Sequence, residues 1–463
     1  MEPHKISRST RSNTNVRKSR PKKRKQSFNP KLMECSEESF STSAKKFENQ
    51  EQCDVPKNAS TGYRILEFIA VFSAISNAVK CKQCNGNVRF ETTSERGLGF
   101  KIVLICDKCI PQYINSSPLV SKAYEINRRF IFVMRILGVG LQGCKKFCGL
   151  MDLPPFLAQT SYDAIIKNIF VSVKTVTKKL FKKAVDEEIA ETCKARNDTN
   201  TRDLTVSGDG TWKKRGFSSL YGVSSLIGYY TGKVIDIVVK SSYCKACEVW
   251  EKKLDTAEYD EWSETHASEC SANHTGSAGS MEVNAIVEMF RRSEENYGVR
   301  YTNYIGDGDS KTYKGIIDNA PYKETVVNKK EALSSPALLQ RCLGGFTQNS
   351  NESFNQLVWK ITPKIIPSGC VTINIAAHVA ACIFNEGQHA LLLILNCMGV
   401  PLGENAHRYV EQRDKQRVSI AELRARRSTK EARTARRQLH KENLEASTSA
   451  EGAMYGPGID DSM

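Results

Sequence analysis

The chain has 463 residues, 40% of them apolar, with sixteen cysteines and a formal net charge of +16. Such length and apolar content exclude a wholly disordered chain and suffice for two or three domains, while the charge favours a polyanionic partner such as nucleic acid. The longest apolar runs, 130–141 and 390–402, are too short or too interrupted by charge to span a bilayer, so no membrane partner is expected.

Residues 1–60 are rich in Ser, Asn, Lys and Arg, and read as a disordered basic tail. Within it, Pro21 is followed by Lys22, Lys23, Arg24 and Lys25, a compact cluster of the kind read by nuclear import machinery. With no apolar leader before it, the expectation is a nuclear protein, in a reducing compartment where CxxC pairs take zinc rather than form disulfides. Cys81 and Cys84 make one such pair, and Cys106 and Cys109 make the second. Gly86, Gly97 and Gly99 suit the turns of a small hairpin, so residues 61–118 read as a zinc-ribbon module. Four thiolates leave no open position, which makes that Zn²⁺ structural.

Residues 119–200 read as a helical, DNA-binding or simply packed region, with Ile165, Ile169, Val173, Val176 and Leu180 at helical spacing. Lys174, Lys178, Lys179, Lys182 and Lys183 decorate it, either as a DNA-facing surface or as a solvated face. Cys144 and Cys148 lie four apart on one face and carry no assignment. From Asp203 the pattern turns strand-like: 204–206, 220–230 and 233–240 form a three-strand meander, with Thr231-Gly232 as its second turn. Ser280 is expected to cap a helix over 281–297, closed by Gly298. A fourth strand at 301–305, a short helix at 312–318, a small strand at 325–327 and a helix at 354–361 follow. This is the element order of an RNase H-like fold, an α/β mixed sheet flanked by helices, over residues 201–415.

Three acids stand out within it. Asp209 lies between Gly208 and Gly210, Asp307 lies in Gly306-Asp307-Gly308-Asp309 with Asp309 as its rival, and Glu352 opens the late helix. Carboxylates from two strand ends and a helix can hold a pair of Mg²⁺ or Mn²⁺ ions that clamp the entering and leaving oxygens of a phosphodiester. Carboxylates so close together require cations, and the flanking glycines are expected to admit metal or phosphate. Cys244, Cys247, His266 and Cys270 read as a second, four-ligand zinc clip, with His274 as the alternative to His266. His378, amid Ala and Val, reads as a packed core histidine. Residues 416–463 read as a basic helix, with Arg424, Arg426 and Arg427, followed by a disordered tail; that helix is either a DNA-backbone arm or a solvated surface.

With these residues laid out, the chain resembles the transposases of animal Mutator-like DNA elements. The runs that carry the likeness are 208–222, 276–282, 305–311 and 347–355, together with the upstream CxxC pairs. The resemblance implies a DDE-type catalytic domain with Asp209, Asp307 and Glu352 on the acidic positions. It implies hydrolysis of one strand at an element end with Mg²⁺, then transfer of the freed 3′-OH into target DNA. The implied partners are double-stranded DNA, as terminal repeats and target, and a second copy of the chain in a homodimer or higher oligomer. The likeness breaks at one point: the family has a long, mostly helical insertion between the second Asp and the Glu, whereas forty-four residues separate Asp307 from Glu352 here. That gap leaves a second reading, a domesticated, non-catalytic nuclear DNA-binding protein.

Overall fold

The computed structural model describes residues 46, 55–214, 218–306, 310–322, 327–328, 349–427, 433–439 and 442. Helix α1 (Phe68–Ala78) precedes a small antiparallel sheet of β1 (Val88–Arg96), β2 (Gly99–Cys106) and β3 (Gln112–Asn115). The β1–β2 turn runs through Gly97 at φ 63°, a left-handed value that glycine adopts without strain. Asn127 pins this turn to the body of the protein, accepting from the Leu98 amide at 2.9 Å and donating to the Arg96 carbonyl at 2.7 Å.

The next region is less uniformly helical than its periodicity predicts. A two-residue pairing of β4 (Leu119–Val120) with β5 (Ala123–Tyr124) comes first, then α2 (Glu125–Ile136), α3 (Leu141–Leu150) and α4 (Gln159–Arg196). Gly138 with Gly140, and Pro154 with Pro155, interrupt the helical run, as their backbone preferences require. Helix α4 spans 38 residues and buries Ile165, Ile169, Val173, Val176 and Leu180, while Lys174, Lys178, Lys179 and Lys182 stay exposed. Cys144 and Cys148 of α3 are both buried in the core.

The main sheet begins with β6 (Asp203–Trp212), β7 (Tyr221–Gly228) and β8 (Val234–Ser241), the expected antiparallel meander. Helices α5 (Lys245–Trp250) and α6 (Ala257–His266) sit in the excursion after β8. The chain then returns through α7 (Ala278–Arg291) and α8 (Ser293–Tyr297) to β9 (Arg300–Ile305), which pairs parallel to β6. Helix α9 (Ser310–Asn319) leads to β10 (Val327–Asn328), parallel to β9, so the strand order is β10-β9-β6-β7-β8. Ser277, not Ser280, caps α7: its side chain accepts from the Ser280 amide at 3.3 Å, so the helix starts earlier than expected. The helix also breaks at Arg292, where Ser293 donates to the Phe290 and Val299 carbonyls.

The late helices are α10 (Asn349–Ile361), α11 (Cys370–Glu386), α12 (His389–Cys397) and α13 (Glu404–Arg427). Strand side chains alternate between two apolar layers. Leu204, Val206, Leu226 and Ile235 pack with Ala285, Ile286, Met289 and Phe290 of α7. On the other face, Tyr221, Val223, Ile227, Val234 and Ile237 join α4, α10 and α11. Buried Glu386 of α11 binds Lys233 at 3.1 Å and Lys183 of α4 at 3.2 Å, which couples that helical layer to the sheet. Asn385 closes the edge of β8, taking both the amide and the carbonyl of Val234. Among the described residues, no helix is long and apolar enough to cross a membrane.

Candidate functional site

Asp209 lies within the central strand β6, paired with Ser225 of β7, and is partly buried. Alternation sends Ser207, Asp209 and Thr211 towards α10, and Gly208, Gly210 and Trp212 towards the opposite side. Helix α10 meets the first set as a ladder. Asn351 donates to Ser207 Oγ at 2.8 Å, Asn355 Nδ2 donates to Asp209 Oδ2 at 2.7 Å, and Trp359 Nε1 donates to Thr211 Oγ1 at 2.8 Å. The match is geometric: four helical residues rise about 6.0 Å, and two strand residues advance about 6.6 Å. The other Asp209 oxygen, Oδ1, accepts from the Gly210 amide at 2.9 Å.

Glu352 is exposed in the first turn of α10, one residue past Asn351 and three before Asn355. The ladder thus holds the helix end that carries Glu352 against the strand that carries Asp209. Strand β9 ends at Ile305, opposite Ser207, so the chain that continues towards Asp307 leaves the sheet beside β6. Asp307 and Asp309 themselves lie outside the described residues, as do Lys22, Lys23, Arg24 and Lys25. Arg426 and Arg427 are exposed at the C-terminal end of α13, which begins at Glu404, well before the expected basic segment.

The glycines around Asp209 answer to protein neighbours. A Cβ on Gly208 would sit 2.6 Å from the ring of Tyr304, and one on Gly210 would sit 2.8 Å from the carboxyl group of Glu282 on α7. The expectation that they make room for metal or phosphate is therefore replaced by a simpler cause, the close packing of Tyr304 and Glu282 on β6. Sequence reading missed Asn355 as the partner of Asp209, and Glu282 as the neighbour of Gly210 on the other face of β6. The available signal was the four-residue spacing of Asn351, Asn355 and Trp359, which sets all three on one helical face.

Two thiol clusters are assembled as the spacing predicts. The ligand atoms of Cys81, Cys84, Cys106 and Cys109 lie within 4.8 Å of one another, with sulfur pairs at 3.7 Å (Cys81 and Cys109) and 3.3 Å (Cys84 and Cys106). A tetrahedron of sulfurs about 2.3 Å from zinc has edges near this size, so the donor set fits Zn²⁺. Backbone amides of Cys84 and Gln83 donate to the Cys81 sulfur and pull its thiol down to about 6. Hydrogen bonding with Cys84 and Cys81 pushes Cys109 up to about 12, as expected of thiols that share a site until a cation neutralises them.

Cys244, Cys247, His266 and Cys270 form the second cluster, with His266 Nε2 at 3.3 Å from Cys244 and 3.4 Å from Cys247. Burial opposes ionisation of Cys244, but amides of Cys247 and Ser271 outweigh it and hold the thiol near about 6. The imidazole of His266 stacks on Trp262 at 4.4 Å, and Trp262 stacks on Trp250 at 4.8 Å, which fixes the ring. His274 is not the ligand: it is buried, with Nε2 3.2 Å from the Ser277 carbonyl and Nδ1 3.3 Å from Asn284 Nδ2. These residues could hold two zinc ions in all.

No curated protein and no solved structure matches the chain. A family model described as Mutator-like transposase matches residues 62–333, more than half of the sequence. The matched span holds both thiol clusters, Asp209, Glu282 and Asp307, and ends before Glu352. The chain belongs to the Mutator-like transposase family.

Proposed function

We propose that this chain is a DNA-cutting transposase or its direct derivative, with Asp209, Asp307 and Glu352 as the metal-binding acids of an RNase H-like, DDE-type centre. Asp309 is the alternative to Asp307. The strand order and directions, with three antiparallel strands followed by two parallel ones, are those this fold requires, which supports the reading. The observation that carries it is the 2.7 Å bond from Asn355 to Asp209, which docks the helix of Glu352 onto the strand of Asp209.

Bound Mg²⁺ or Mn²⁺ would polarise the scissile phosphate and stabilise charge on the entering and leaving oxygens. The residues of the chain do the rest. Asp209 and Glu352 supply hard oxygen ligands, and the α10 N-terminus, with its partial positive charge, favours carboxylates at that end. No side-chain nucleophile is needed, since water or a DNA 3′-OH attacks in line. The zinc clusters hold shape only. The substrate is double-stranded DNA, the working form is a dimer or higher oligomer that pairs two DNA ends, and the basic cluster from Lys22 to Lys25 directs import to the nucleus.

The test is nicking of supercoiled plasmid by the purified full chain. Nicking should need Mg²⁺ or Mn²⁺ and should fall by about a thousandfold or more in Asp209→Ala, Asp307→Ala and Glu352→Ala, with DNA binding retained. If Asp209→Ala nicks as well as the parent, the reading is wrong. A second reading, a non-catalytic DNA-binding protein, is favoured by the short Asp307–Glu352 connection and predicts DNA binding with no metal-dependent nicking at all.

A further inference from the structure

We propose that Asn355 is the positioning residue of Asp209: its amide N–H holds the carboxylate in the orientation in which it meets a divalent cation. The proposal rests on the reading of Asp209 as a metal-binding acid. The orientation of the amide is fixed by chemistry. A carboxylate oxygen accepts only from a donor, so Nδ2 must face Asp209 Oδ2 across the 2.7 Å gap, and Oδ1 must face away from it.

Both oxygens of Asp209 are then held, Oδ1 by the Gly210 amide and Oδ2 by Asn355. These two bonds fix the carboxylate in rotation. Oδ1 of Asn355 is buried and has no hydrogen-bond partner among the described residues. Buried amide oxygens left without a donor are costly and uncommon, and they recur where a ligand or ion completes them. Facing away from Asp209, that oxygen is a neutral acceptor left for a bound water or another donor, while the N–H holds the carboxylate. An aspartate at 355 would instead set a second charge within hydrogen-bond distance of the first. The neighbouring rungs, Asn351 to Ser207 and Trp359 to Thr211, stop α10 from sliding, so Asn355 cannot drift from its partner.

Three variants separate positioning from mere support. Asn355→Ala and Asn355→Leu remove the amide, and Leu keeps its bulk. Trp359→Phe removes the next rung of the same ladder without touching Asp209. Binding of Mn²⁺ to the zinc-loaded full chain is followed by the loss of the free Mn²⁺ electron paramagnetic resonance signal, with Asp209→Ala as reference and thermal unfolding without Mn²⁺ as a check on folding. Orienting partners of metal ligands typically contribute about 10–100-fold in affinity, so both Asn355 variants should weaken the Asp209-dependent Mn²⁺ site by that factor. Trp359→Phe should leave it near wild type. The proposal is overturned if the Asn355 variants bind Mn²⁺ as tightly as the parent while Asp209→Ala does not. It is equally overturned if Trp359→Phe weakens binding as much as they do. If Asp209→Ala itself changes nothing, the metal-acid reading fails and the proposal goes with it.

Discussion

His378 shows how one partly buried side chain ties this protein to pH. Burial, helped by the positive charges of Lys174 and Arg292, lowers its imidazole from the usual 6.5 to about 3. The Nδ1 atom is sealed from solvent and without a hydrogen-bond partner among the described residues, and the ring meets Phe170 edge-on at 6.5 Å. The folded chain therefore keeps His378 neutral, while the unfolded chain protonates it below about 6.5. Its contribution to stability is full above that pH and is lost progressively as pH falls towards 3. Between about pH 7.5 and about pH 5 the loss should be on the order of 2 kcal/mol. Urea unfolding of the parent and of His378→Leu at the two pH values checks this: the acid-induced loss should shrink by about that amount in the variant. An equal loss in both would assign the pH dependence elsewhere. The residue was legible as a core histidine because Ala and Val surround it, whereas the Asp209–Asn355 bond was not, since its partners lie 146 positions apart.

At the scale of elements, local pattern and local structure agree where one force dominates. The runs before Asp209 and Asp307 became β6 and β9 although polar residues interrupt both, and β6 continues through Asp209 to Trp212, so that acid sits inside its strand and not at the strand end expected. The CxxC spacing gave both clusters because a knuckle needs its two ligands two residues apart, whatever the tertiary fold. The start of α7 was misplaced because Ser277 and Ser280 offer the same capping chemistry three residues apart, and only tertiary packing selects between them. The small sheet of β1, β2 and β3 has little apolar burial of its own, with β3 wholly exposed. Such a module depends on its metal for folding. Stripping zinc with a chelator, or replacing Cys84 by Ser, should open residues 81–115 to protease while the five-stranded core stays resistant. Zinc loss with unchanged cleavage in that region would show that the hairpin holds itself.

For the whole molecule, the two apolar layers on either side of the main sheet fix the positions of α7 and α10, and with them everything near Asp209. Composition announced that a large core existed, and the order of elements announced its class. Neither could show which helix would lie against which strand, because that follows from matching surfaces across long separations in sequence. The family match stops at residue 333, so the Glu352 helix is tied to the centre by its own contacts, above all the ladder onto β6. The most direct test of a shared metal centre is anomalous scattering from Mn²⁺ in crystals of the full chain. The account predicts manganese at roughly 2.1 Å from an Asp209 oxygen, with Glu352 on the same ion or on its immediate neighbour. Crystals that show no manganese at Asp209, or that hold Asp209 and Glu352 on distant, unrelated ions, would contradict it.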